Sequence, residues 1–203
     1  MRRQMEVKYE MKLLSSLEKV FPDETPVYRP EGQVLSALRG ETVSFQAAYT
    51  GNFFMRERLD VKVVSPIAEQ IRIRSVEQVP VGRATNGIVD DNYLKTTSGL
   101  YPDLLRDLKD GKAIVCSNQW RSLWVDVEVT EEIPAGEYEI EIQLVKEGKP
   151  VCSAVQKLTV YGITLPEQKI MHTEWLHADC LADYYHEKVF SEEHWQILEN
   201  YFK

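Results

Sequence analysis

Cysteine is scarce in this chain: three residues in 203, an odd number with no Cys-x-x-Cys pair, exclude a disulfide framework. Cys116 and Cys152 read as reduced core residues, because free cysteine behaves as a small hydrophobe. No apolar run approaches the roughly twenty residues that a membrane-crossing helix needs. The opening "MRRQMEVKYEMKLL" starts basic, but Glu6, Lys8, Glu10 and Lys12 break the apolar core of a secretory signal, so a cytoplasmic protein is expected. Positive charge is also in deficit. With 24 basic against 32 acidic side chains the formal net charge is −8, which argues against binding polyphosphate by charge neutralisation. Neither nucleic acid nor a membrane is an expected partner.

Apolar residues make up 43% of the chain, enough for one full domain and a little more. From Glu6 to Leu13 polar and apolar residues alternate strictly, placing Val7, Tyr9, Met11 and Leu13 on one face of a strand. The same period returns in "TVSFQAAY", "RLDVKVV", "QIRIRSVEQV", "SLWVDVEV", "EYEIEIQLV" and "VQKLTVYGI". Turn residues separate these runs, and "KEGKP" joins the last two as a hairpin. Residues 1–165 are therefore expected to form an antiparallel β-sandwich of immunoglobulin-like or jelly-roll type. Its one long interruption, Arg83 to Lys112, carries no clear element and reads as a functional or partner-covering loop.

After Gly162 the pattern changes. A proline-containing linker leads to an extended run over Ile170–Leu176. "SEEHWQILENYF" then offers a Ser191 cap, Glu192 and Glu193 in the first turn, and a Trp195/Leu198/Phe202 stripe at helical spacing. Residues 166–203 thus read as an incomplete strand-loop-helix unit, the start of a (β/α)8 barrel. Its open strand edges and apolar stripe predict dimerisation through the tail.

Three stretches, "GLYPDLLRDL", "NQWRSLWVDVEVTEEIPAGEYEIEIQL" and "TLPEQKIMHTEWLHADCLADYYHEKVFSEEHWQILENYFK", together resemble the N-terminal sandwich and first barrel unit of glycoside hydrolase family 123 and its uncharacterised relatives. The resemblance implies a sandwich followed by a catalytic barrel that hydrolyses N-acetyl-β-galactosaminides. It also implies that an Asp-Glu pair on a later barrel strand does the chemistry, the Asp orienting the substrate's 2-acetamido group and the Glu serving as acid and base. No residue of this chain matches that pair. The expectation is an accessory N-terminal region, inactive alone, with no catalytic residue and no cofactor of its own.

The stretch "HTEWLHADCLADYYHEKVFSEEHW" holds all four histidines. Residues just after a first barrel strand lie at the mouth where such folds build their sites. Trp175, His177 and Asp179 are therefore the expected substrate-binding residues, the indole suited to a pyranose face and the polar pair to hydroxyls. Zinc binding by His172, His177, Cys180 and His186 is disfavoured by spacing that lacks any usual ligand pair. Nothing in the sequence activates Cys180 as a nucleophile. Asp90-Asp91 and Glu131-Glu132 read as solvated loop charges. The alternative reading is a self-contained carbohydrate-binding or protein-interaction module using Tyr93 and Tyr101 of the long loop.

Overall fold

Alternating sequence becomes paired strand throughout the first four-fifths of the chain. In a computed structural model, residues 8–27, 34–52, 56–85, 87, 92–171 and 173–202 are described. Among them the strands are β1 (Tyr9–Ser15), β2 (Leu35–Arg39), β3 (Glu41–Gly51), β4 (Glu57–Val64), β5 (Ile71–Val81), β6 (Gly99–Asp107), β7 (Lys112–Val115), β8 (Arg121–Val129), β9 (Gly136–Lys146) and β10 (Lys149–Thr164). Two helices follow, α1 (Asp179–Tyr185) and α2 (Glu192–Phe202). The chain divides into two compact units, Met1–Leu165 and Pro166–Lys203.

The strands of the first unit form two five-stranded sheets, ordered β1-β3-β8-β5-β6 and β2-β10-β9-β4-β7. Their inner faces make one core, in which Phe45, Ala47, Leu123, Val125 and Val127 of the first sheet join Leu59, Ile140, Ile142, Leu144 and Leu158 of the second. The architecture is the expected sandwich, with antiparallel ladders except where β2 runs parallel to β10. On β1, Tyr9, Met11 and Leu13 face the core as expected, and Val7 lies outside the described residues.

The structure corrects the long interruption. β6 occupies its second half and pairs with β5 from Val81↔Gly99 to Arg74↔Asp107, with a register shift between Val76 and Gln78. Pro102 is tolerated because β6 is an edge strand and owes hydrogen bonds on one side only. Cys116 and Cys152 are half-buried rather than fully enclosed.

The outer face of the first sheet is not bare. Leu14, Val20, Ala48 and Trp120 form a second small core under the segment that follows β1. Gln46 fastens that segment by donating to the carbonyls of Glu18 (2.7 Å) and Ser15 (3.3 Å), while Ser122 Oγ donates to Gln46 Oε1 at 2.9 Å. Buried amide and hydroxyl groups are thereby satisfied, which burial requires of them. At one end of the sandwich Tyr9 donates to Glu57 at 2.7 Å and Lys146 pairs with the same carboxylate at 2.9 Å, tying β1 of one sheet to β4 and β9 of the other.

In the second unit, no strand ladder forms among the described residues between Pro166 and Ala178. The strand expected over Ile170–Leu176 is corrected accordingly. A parallel barrel strand exists through hydrogen bonds to neighbours, and no such neighbour is present among the described residues of this unit.

Asp126, on the outer face, gives a stability prediction. Burial pushes its carboxyl pKa up, but hydrogen bonds from Ser44 Oγ (2.7 Å), Arg74 and Trp124 Nε1 (2.7 Å) outweigh burial and hold it below the ordinary value. A carboxyl lowered on folding stabilises the protein above its unfolded pKa of about 3.9, and that contribution is lost as pH falls through the folded value. Asp126→Asn is expected to cost about 2–4 kcal/mol at pH 7 and to flatten the loss of stability on acidification. Urea unfolding of both chains at pH 7 and pH 3 measures the difference.

Candidate functional site

The second unit carries every histidine of the sequence, and its local structure follows from capping chemistry. α1 starts after a turn in which Cys180 N–H donates to the His177 carbonyl at 3.3 Å. It ends at His186 in the left-handed region (φ 59°), whose N–H reaches the carbonyls of Ala182 and Asp183, and Glu187 N–H adds a bond to Ala182 at 2.9 Å. Phe190 is also left-handed (φ 59°) and closes the turn before α2. Ser191 then caps α2 as expected: its Oγ accepts from His194 N–H at 3.3 Å, and Glu192 and Glu193 occupy the first turn.

His194, to which the sequence reading assigned no role, is the fastening of this unit. Its ring is fully buried. Phe190 N–H donates to Nδ1 at 2.8 Å, so that nitrogen is bare, while Nε2 lies 2.8 Å from the Ala178 carbonyl, which can only accept. The partners therefore fix a neutral imidazole with its proton on Nε2. One side chain joins the start of α1 to the turn before α2. The buried face of α2 is consequently His194 and Leu198, whereas Trp195 is half exposed and stacked on Phe190 at 5.4 Å, and Phe202 is exposed. Of the expected Trp195/Leu198/Phe202 stripe, Leu198 is buried and the two aromatic rings are left uncovered, as expected of a helix without further apolar cover.

Of the three expected substrate-binding residues, His177 and Asp179 are brought together, with Nδ1 and Oδ1 3.8 Å apart and both side chains exposed. Trp175 is fully exposed, and its indole makes no ring contact or hydrogen bond among the described residues. Asp179 opens α1, where a carboxylate complements the helix dipole. His172 lies outside the described residues, as do Asp90 and Asp91. His186 is exposed and serves as a helix end, Cys180 is exposed, and no cluster of three His, Cys, Asp or Glu side chains fit to hold a metal occurs among the described residues.

The sandwich has a groove of its own, about 430 Å³, between the segment after β1 and the end of β5 and start of β6, lined in part by Phe21, Val79, Tyr93, Leu94 and Tyr101. Tyr101 is structural there: its hydroxyl donates to the Thr97 carbonyl at 2.6 Å and its ring meets Phe21 edge-on at 5.5 Å. Lys95 lies over Phe21 and pairs with Asp23 at 2.8 Å and Glu24 at 3.1 Å. Only Tyr93 of the two loop tyrosines presents a half-exposed ring.

The sequence model of a family described as glycoside hydrolase 123, catalytic domain, matches residues 175–203. No curated protein matches the sequence significantly. Among solved structures, a family 123 glycoside hydrolase from Clostridium perfringens, described in work on glycolipid glycan hydrolysis, aligns with a TM-score of 0.61 at 14% identity over 95% of this chain. That alignment takes in 35% of the clostridial chain, so this chain spans about a third of its length. A β-glucosidase from Listeria innocua aligns over 78% of this chain and 17% of its own at 10% identity, and the N-terminal domain of PorA over 72% and 99% at 9%. Their TM-scores of 0.36 and 0.33 carry no argument. The chain resembles glycoside hydrolase family 123: it shares the fold of the aligned third of the clostridial enzyme, and its last 29 residues match the model of the family's catalytic domain.

His194→Ala removes an acceptor and a donor from a buried site, leaving Phe190 N–H and the Ala178 carbonyl unpaired, at an expected cost of about 2–4 kcal/mol. Amide hydrogen exchange should accelerate across residues 179–202 while protection in β8, β9 and β10 stays as in the parent chain.

Proposed function

We propose that this chain is the N-terminal part of a glycoside hydrolase with specificity like that of β-N-acetylgalactosaminidases: an accessory sandwich followed by the opening of a catalytic barrel, not catalytic by itself. The observation that carries the reading is a coincidence of boundaries. The sandwich unit closes at Leu165, and the match to a glycoside hydrolase catalytic domain begins at Trp175, within the second unit. Glycoside hydrolysis needs a carboxylic acid of raised pKa beside the leaving oxygen, even where the substrate's own acetamido group is the nucleophile. The Asp-Glu pair implied by the family resemblance has no counterpart here, so the chemistry belongs to a longer protein.

In that protein Trp175, His177 and Asp179 form part of the sugar pocket. Their position supports this role: all three precede or open α1, and all are exposed with His177 and Asp179 already adjacent. An exposed indole covers the apolar side of a pyranose ring, and the His-Asp pair fixes hydroxyls. The full-length protein is expected to hydrolyse an aryl N-acetyl-β-galactosaminide, and this chain is expected to leave it intact. Trp175→Ala in the full-length enzyme should lower kcat/KM by about ten- to a hundredfold with an unchanged Tm, consistent with about 1.4–2.7 kcal/mol of lost binding. Full activity in that variant would remove Trp175 from the pocket, and no hydrolysis by the full-length protein would overturn the reading.

The tail's exposed apolar surface supports a second consequence. Ile170, Met171, Trp175, Trp195 and Phe202 are all at least half exposed, and soluble monomers rarely leave such clusters bare. Alone, the chain should pair with a second copy through residues 171–202. Sedimentation is expected to give a concentration-dependent dimer, and a chain ending at Leu165 a monomer with an intact sandwich.

A further inference from the structure

The turn Leu108–Gly111 carries the chain from β6 in one sheet to β7 in the other and borders a hollow of about 210 Å³. Its deep wall is apolar: Tyr49 is almost fully buried with its hydroxyl spent on the Ile114 carbonyl at 3.1 Å, and Leu108 and Ile114 flank it. The remaining wall is charged, and the charge is one-sided. Arg58, Arg106, Lys109, Lys112 and Arg121 all line the hollow, drawn from β4, β6, the turn, β7 and β8. Against these five cations stand two carboxylates, Glu77 and Asp107.

One of these carboxylates neutralises a single cation of the group and the other neutralises none. Glu77 is taken by Arg121 at 2.9 Å and by Ser75 Oγ at 2.6 Å, and Asp107 pairs at 2.9 Å with Arg72, which does not line the hollow. Lys112 reaches Asp60 at 3.3 Å and Arg58 reaches Asp110 only at 3.9 Å. Arg106 and Lys109 have no carboxylate within ion-pair distance among the described residues. Three of the five cations are thus paired, and Arg106 and Lys109 leave an uncompensated positive charge at the hollow. A concave, low-dielectric wall of this kind concentrates positive potential and attracts an anion. Arg121 supplies the fixed element: its side chain is 13% exposed and is held by Glu77, so part of the donor geometry exists before any ligand arrives.

We propose that this hollow binds a compact oxyanion, a sulfate, phosphate or carboxylate group, with Arg121 at its base and Arg106 and Lys109 providing the unneutralised charge. The volume admits such a group and a portion of what carries it, and it excludes an oligosaccharide. Two sources share this chemistry: the acidic substituent of a sugar and the free inorganic ion. The inference does not depend on the hydrolase reading, and its test reads no hydrolysis.

The experiment titrates this chain with inorganic sulfate, with inorganic phosphate, with a sulfated N-acetylhexosamine and with the same sugar unsulfated, at constant ionic strength held by sodium chloride, following backbone amide shifts by NMR. Saturable shifts centred on residues 106–112 and 121 are expected for the anionic probes and not for the neutral sugar. Arg106→Ala/Lys109→Ala, both exposed positions without ion pairs, should weaken that binding about tenfold or more with an unchanged amide spectrum elsewhere, as expected for lost charge-assisted bonds. Tighter binding of the sulfated sugar than of free sulfate supports a substituent pocket, and equal affinity supports a site for the free ion. The proposal is overturned if no anionic probe saturates, or if the double variant binds as tightly as the parent.

Discussion

The register of the β9–β10 hairpin is the constraint on which the rest of the sandwich stands. Its two turn residues both lie at positive φ, Glu147 at 50° and Gly148 at 77°, the two-residue type I′ geometry whose twist matches that of paired strands. That turn sets Lys146 opposite Lys149 and Val145 opposite Pro150, and a one-residue shift between Pro150 and Cys152 then fixes the rest of the ladder, from Leu144 opposite Cys152 to Gly136 opposite Val160. Ile140, Ile142 and Leu144 thereby face inward, and a slip of one residue would put Glu139, Glu141 and Gln143 in their place. β9 is the central strand of its sheet, so β4 on one side and β10 with β2 on the other inherit its alignment. The same ladder determines where the unit closes. Leu165 N–H bonds the Arg39 carbonyl at 2.7 Å and Gly40 N–H the Val129 carbonyl at 2.6 Å, a junction of both sheets at the point where the sandwich ends.

Legibility in the sequence followed how strongly each strand obeys period two. β3, β4, β5, β8, β9 and β10 face a core on one side and water or polar cover on the other, so their alternation survives in the residues. β6 does not show it: Leu100 and Leu104 are exposed, Pro102 is buried, and the bulge opposite Val76–Gln78 breaks the phase. β2 and β7 are edge strands of five and four residues, too short for a period to declare itself. The charged hollow was unreadable for the same reason. Arg106, Lys109 and Lys112 sit on or between β6 and β7, two of the three strands without a legible period, and only the crossing from β6 to β7 sets them beside Arg58 and Arg121.

In the second unit the local signals were sound and the tertiary ones were not. Ser191 with Glu192 and Glu193 announces a helix start because capping is settled within one turn of chain. Which side of that helix is buried depends on what it meets, and spacing alone cannot say. Here the answer is a histidine whose two ring nitrogens bond backbone groups twelve residues apart, Ala178 and Phe190, one before α1 and one after it. A histidine four residues before a buried leucine reads as polar in any hydropathy scheme. Its burial is affordable only because both nitrogens are satisfied at once.

The two units differ in how completely they satisfy themselves. The sandwich buries its inner faces, covers part of its outer face with the segment after β1, and spends Gln46, Ser122, Asp126 and Tyr101 on internal hydrogen bonds. The second unit, by contrast, leaves Trp175, Tyr184, Trp195, Tyr201 and Phe202 at least half exposed around a core of Ala182, His194 and Leu198. A few buried side chains contribute about 1.5–3 kcal/mol each, against an ordering cost near 1–2 kcal/mol for every residue fixed. A unit so balanced gains order from further apolar cover. In packing terms the sandwich is self-sufficient, and the segment from Trp175 onward leaves most of its aromatic surface uncovered.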